Sequence, residues 1–156
     1  MLALTARSLV IGWVYVVMSI GGAGAAQTVS GPYDETVNRA LALLPEQPAK
    51  VLVVDASRAA RAFDAQGRRV QAFVRHGENV VYLVAQGATL QGGQKGAGIF
   101  DYVLATIIWH EMAHLAGGDE RQAQRQEEGL WEEWVAAGRV DLGRGLKYLA
   151  LLRKRQ

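Results

Sequence analysis

The chain of 156 residues contains no cysteine and only three histidines. The first absence excludes disulfides, thiolate metal ligands and a lipid-modified N-terminal cysteine, so the fold must rest on its core and on any metal held by nitrogen and oxygen. Charge of one sign is lacking too: 17 Lys and Arg face 15 Asp and Glu. That near balance excludes a strongly basic nucleic-acid binder. Half of the residues are hydrophobic, which excludes a disordered chain. The apolar run over residues 9–20 is too short to span a bilayer comfortably. A chain of this length makes one domain around a single core.

Residues 1–7 carry one positive charge and no acid, residues 9–20 are mostly apolar, and Gly21-Gly22-Ala23-Gly24-Ala25-Ala26 follows. A short apolar core ending in small residues reads as a secretory signal cleaved after Ala25 or Ala26. The expected organisation is a signal peptide over 1–26 and one domain over 27–156, secreted or periplasmic. Retention of the segment would make it a membrane anchor, the only circumstance in which a membrane partner is expected.

Past residue 26, helical spacing of Val37, Ala40, Leu41 and Leu44 predicts a helix over 34–44, stopped by Pro45 and Pro48. The β-branched run over 50–55 reads as a buried strand. Residues 58–63 suit one or two helical turns. Strands over 70–75 and 79–84 flank His76-Gly77-Glu78, a hairpin turn. Five glycines within 87–98 predict a loop. A helix over 100–116 ends at Gly117-Gly118. Asp119 and Gln122, in capping-box register, start another helix that runs to about residue 137. A last helix covers 142–153. A small strand cluster followed by a helical half gives an α+β fold.

The helix over 100–116 carries His110-Glu111-Met112-Ala113-His114, and so two of the three histidines. Residues four apart on a helix lie one turn apart on one face. Two imidazoles so placed can grip one zinc ion, and the glutamate beside them can act as general base. A packed or hydrogen-bonded pair of histidines is the plainer alternative. The surrounding Val103, Leu104, Ile107 and Ile108 make the helix apolar on nearly every side, and buried polar groups require partners. A metal supplies one.

The order of strand, glycine-rich segment and helix bearing His-Glu-x-x-His resembles the core of zincin metallopeptidases, over roughly residues 79–135. The resemblance implies an edge strand that holds an extended substrate beside the zinc, with residues 79–86 as its candidate. It also implies a third protein ligand downstream. Gly117 falls on the metzincin glycine, but position 120 is Glu and no Met follows Met112. Glu120-Arg121-Gln122-Ala123 is similar to the gluzincin Glu-x-x-Ala, with Gln124 where Asp or Asn is usual, so the chain stands closer to gluzincins. If Gly117-Gly118 folds the next helix back along the first, Glu120 and Glu127 lie one turn to either side of the histidines. Glu120 is preferred and Glu127 is the second candidate.

The function expected is that of a zinc-dependent metallopeptidase hydrolysing peptide bonds through a zinc-activated water. His110, His114 and Glu120 are the metal ligands, Glu111 is the catalytic base, Zn2+ is the cofactor, and the partner is a peptide or protein substrate rather than nucleic acid. The available oxyanion donors are His76, Tyr82, Tyr102 and Tyr148. The alternative is an inactive zincin-fold metal-binding or interaction protein.

Overall fold

The computed structural model describes residues 15–17, 31–63, 67–96 and 98–153. Most of the segment read as an export signal, its cleavage point included, lies outside the described residues. The fold is α+β. Its sheet has the order β1-β2-β4-β3, from β1 (Tyr15–Val17), β2 (Val51–Val54), β3 (Ala72–Val74) and β4 (Val81–Val84). β2 and β4 run parallel, whereas the β3–β4 hairpin is antiparallel, with Phe73 opposite Tyr82. β1 lies antiparallel on β2. Cleavage after Ala26 would remove this strand and leave β2 as the second sheet edge.

Every residue of β2 and β4 is buried, because the sheet is covered on both faces. Alternation decides which side chain goes where. Val51, Val53, Val81 and Leu83 join the main core beneath the helices, while Leu52, Val54, Tyr82 and Val84 form a second cluster with Ala56, Ala59 and Ala62. Ala56 and Ala62 belong to two short 3-10 turns, Ala56–Arg58 and Ala60–Ala62, and Ala59 is the extended residue that joins them. On that face Phe73 and Tyr82 stack with ring centroids 5.0 Å apart, and the Arg75 guanidinium lies 4.7 Å from the Tyr82 ring centre.

Among the described residues five helices supply the rest: α1 (Asp34–Leu41), α2 (Ala88–Gln94), α3 (Ile99–Leu115), α4 (Glu120–Ala136) and α5 (Leu142–Arg153). α1 stops short of the expected residue 44, closing in tight turns in which Leu43 N–H donates to Ala40 O and Leu44 N–H to Leu41 O, both at 3.1 Å. Trp131 and Trp134 of α4 are fully buried, Tyr102 meets Trp134 edge-on, and the Trp131 indole N–H donates to Gly145 O of α5 at 2.9 Å. None of the helices among the described residues is long and apolar enough to cross a membrane.

α2 corrects the loop expected over 87–98. Its glycines serve close packing rather than chain flexibility. A Cβ on Gly92 would stand 2.7 Å from the Phe100 ring, and one on Gly93 would stand 2.4 Å from Thr36 Cγ2. Their absence lets α2 approach α3 and α1 closely, and that contact outweighs the poor helix propensity of glycine. Arg39 ties the three helices together, bonding Asp101 through Nε at 2.8 Å and Gly93 O through Nη2 at 2.9 Å.

Candidate metal centre

α3 buries Leu104, Ala105, Ile107 and Ile108 and carries His110, Glu111 and His114 toward its C-terminal end. The two imidazoles follow one another along one face, with ring centroids 5.0 Å apart. The turn that stops α3 also builds the site. Gly117 adopts φ +87°, a conformation costly for residues with a Cβ. Its N–H donates to His114 O at 3.0 Å, and Gly118 N–H donates to Ala113 O at 2.8 Å, the paired closure of a Schellman motif. This closure brings Gly118 O to 3.0 Å from His114 Nδ1. Asp119 then caps α4 in the expected capping box, accepting from Gln122 N–H at 2.8 Å while the Gln122 side chain accepts from Asp119 N–H at 3.0 Å.

The chain reversal places Glu120, the first residue of α4, over the histidines. Glu120 Oε1 is 3.6 Å from His110 Nε2, and Oε2 is 3.3 Å from His114 Nε2. Ligand atoms of these three residues all lie within 4.8 Å of one another. Glu127 lies on the other side of the His110 ring, with Oε2 3.1 Å from Nδ1. Its Oε1 accepts the Tyr148 hydroxyl at 3.0 Å. The Glu120 side chain is 76% exposed and that of Glu127 only 3%. One carboxylate stands at the mouth of the site, and the other is built into its wall.

These partners fix the imidazole tautomers. Gly118 O and the Glu127 carboxylate are acceptors, so each Nδ1 carries a proton and a ring without a second proton turns its Nε2 lone pair toward Glu120. Two lone pairs facing a carboxylate repel unless a proton or a metal cation lies between them. Burial works against charge on His110, but the Glu127 hydrogen bond and the carboxylates of Glu127, Glu111 and Glu120 outweigh it and hold its pKa above the usual imidazole value. Burial pushes the Glu111 carboxyl up, with Glu120 and Glu127 adding to the effect while His110 and His114 oppose it.

The site opens into a cleft of about 510 Å³. One wall is helical, formed by Ile107, His110, Glu111, Glu120 and Glu127; the other is the segment from Arg68 to Ala72, which leads into β3. The expected substrate strand over 79–86 is thereby corrected. β4 lies between β2 and β3, its hydrogen bonds used on both sides, and β3 is the strand at the cleft edge. A single sequence does not show the strand order that puts the second arm of a hairpin inside the sheet.

The four expected oxyanion donors lie away from the cleft lining. The Tyr82 hydroxyl bonds Glu78 on the far face of the sheet, Tyr102 packs on Trp134, and His76 is exposed at the hairpin turn. Tyr148 is directed to Glu127. Sequence reasoning missed the positions of Arg68 and Arg69, which carry no motif, and the Gly118 carbonyl, which belongs to the backbone. No family model matches this chain, and comparison with curated proteins and with solved structures finds no match.

Proposed function

We propose that this chain is a zinc-dependent metallopeptidase, with His110, His114 and Glu120 as metal ligands and Glu111 as general base. The observation that carries the proposal is the convergence of two oriented Nε2 lone pairs on one exposed carboxylate. Two nitrogens and one oxygen form a donor set typical of catalytic zinc, with a position left for water. Separations of 3.6 Å from His110 Nε2 to one Glu120 oxygen and 3.3 Å from His114 Nε2 to the other, with one donor atom from each residue within 4.8 Å of the others, are short enough for the three residues to share one ion. A bound zinc ion would supply the Lewis acidity that activates water and polarises a carbonyl.

The remaining work falls to this chain's own groups. Glu127 and the Gly118 carbonyl hold the imidazoles in the ligating tautomer, as outer partners of metal-bound histidines do. Glu111 lines the cleft next to the ligands. Its raised proton affinity suits a base that takes a proton from water and passes it to the departing amine nitrogen. The 68–72 wall, leading into the edge strand β3, would line one side of a bound peptide. Export to a secreted or periplasmic location, through the segment over 1–26, belongs to the same proposal. The test is hydrolysis of an unfolded protein by purified protein, before and after chelation and after zinc is restored. The proposal predicts loss and recovery. Metal binding without hydrolysis would favour the inactive metal-binding alternative.

A further inference from the structure

The two walls of the cleft differ in charge. The helical wall carries Glu111, Glu120 and Glu127, whereas the opposite wall carries Arg68 and Arg69. With all three carboxylates ionised, the formal charge of these groups is minus one, and a divalent cation on the His110, His114 and Glu120 ligands turns it to plus one. Arginine stays charged at any working pH, so the basic wall persists whatever the state of the acids. The loaded cleft therefore favours an anionic occupant.

The backbone that presents these arginines is anchored. Arg69 forms an isolated antiparallel bridge with Phe63, and Val70 N–H donates to Ala62 O at 2.9 Å. Arg68 and Arg69 both line the cleft. Arg69 also donates to Gln86 O at 3.4 Å. A guanidinium has five N–H donors arranged to match a carboxylate, so the contacts each arginine already makes do not exhaust it. Two arginines on open surface would be an ordinary solvated pair, but these line the same cleft as the candidate base.

We propose that Arg68 and Arg69 make this cleft selective for peptides that place a carboxylate beside the scissile bond, as an acidic side chain or a free C-terminus. The inference rests on the peptidase reading of the same cleft and adds the substrate class to it.

The test uses zinc-loaded full-length protein and quenched fluorescent peptides of one sequence, with Glu, Ala or Lys at the positions flanking the cleaved bond and an amidated C-terminus. A further Ala peptide with a free C-terminus separates the two carboxylate sources. kcat/KM is expected to be at least about tenfold higher for a carboxylate-bearing peptide than for the Lys peptide, the scale of a charge-assisted contact. Arg68→Glu/Arg69→Glu should reverse the order and leave bound zinc unchanged. Binding of the same peptides to zinc-loaded Glu111→Gln protein, followed by fluorescence anisotropy, gives a readout that does not need turnover. Equal cleavage of all peptides, unaltered by charge reversal, overturns the inference and leaves the peptidase reading standing. Absence of any cleavage overturns the peptidase reading, and the anisotropy series then decides the charge preference: tighter binding of acidic peptides, lost on reversal, supports it, and equal binding overturns it.

Discussion

The buried carboxylate of Glu127 stands 3.1 Å from His110 Nδ1, seventeen positions earlier in the chain. This contact joins α3 to α4 and directs the other ring nitrogen of His110 toward Glu120. The Tyr148 hydroxyl, 3.0 Å from the second Glu127 oxygen, extends the connection to α5. The orientation of the site thus depends on all three C-terminal helices.

Glu127→Gln keeps the shape of the side chain but weakens the acceptor for the His110 N–H. Zinc affinity should fall about 10–100-fold, the usual effect of losing an outer partner of a ligating histidine. Competition titration against a chromophoric chelator measures it. Glu127→Ala should in addition lower the stability of the metal-free protein by about 1–3 kcal/mol, because His110 and Tyr148 lose a buried acceptor.

Glu120 should behave in the opposite way. Its side chain is 76% exposed, and at a pH where both rings are neutral its removal relieves the repulsion between a carboxylate and two lone pairs, whereas a protonated His110 is favoured by this carboxylate. In mildly alkaline buffer Glu120→Ala should therefore leave metal-free stability unchanged or slightly higher while bound zinc drops sharply. Elemental analysis alongside thermal melts would show both effects. Full zinc occupancy in this variant would remove Glu120 from the ligand set.

Zinc should stabilise the fold by mass action. Free zinc at about 100 times Kd adds about 2.7 kcal/mol, seen as a rise in Tm that a chelator reverses. The same addition to His114→Ala should shift Tm far less.

The glycines allow a test of packing independent of the metal. Gly93→Ala places a Cβ 2.4 Å from Thr36 Cγ2 and should cost about 1–3 kcal/mol through overpacking. Gly129→Ala, in α4 with nothing within 4 Å of the new Cβ, should gain about 0.5–1 kcal/mol from helix propensity. Urea denaturation of the two variants would give shifts of opposite sign.

What the sequence made legible was local. The His110–His114 spacing, the Asp119–Gln122 capping box and the start of α5 are set by residues within a turn or two of one another. Each appears where such short-range rules put it. The loop expected over 87–98 failed because glycine count reports backbone freedom, while the role of Gly92 and Gly93 depends on Phe100 and Thr36 in other helices. The cleft edge was misplaced for a related reason. Whether β3 or β4 lies outermost depends on parallel pairing with β2, a contact that leaves no mark on either strand. Glu120 and Glu127 were both legible as neighbours of the histidines. Which ring nitrogen each one faces is a tertiary fact, set by the turn at Gly117-Gly118 and by Tyr148.

The most direct test of the central claim is Glu111→Gln, compared with the parent protein for bound zinc and for hydrolysis of an unfolded protein substrate. Glu111 is not among the proposed ligands and lines the cleft beside them, so the variant should hold zinc at parent occupancy. Its hydrolysis should fall by at least about 100-fold, the scale of a general base. Parent-level hydrolysis by the zinc-loaded variant would contradict the account.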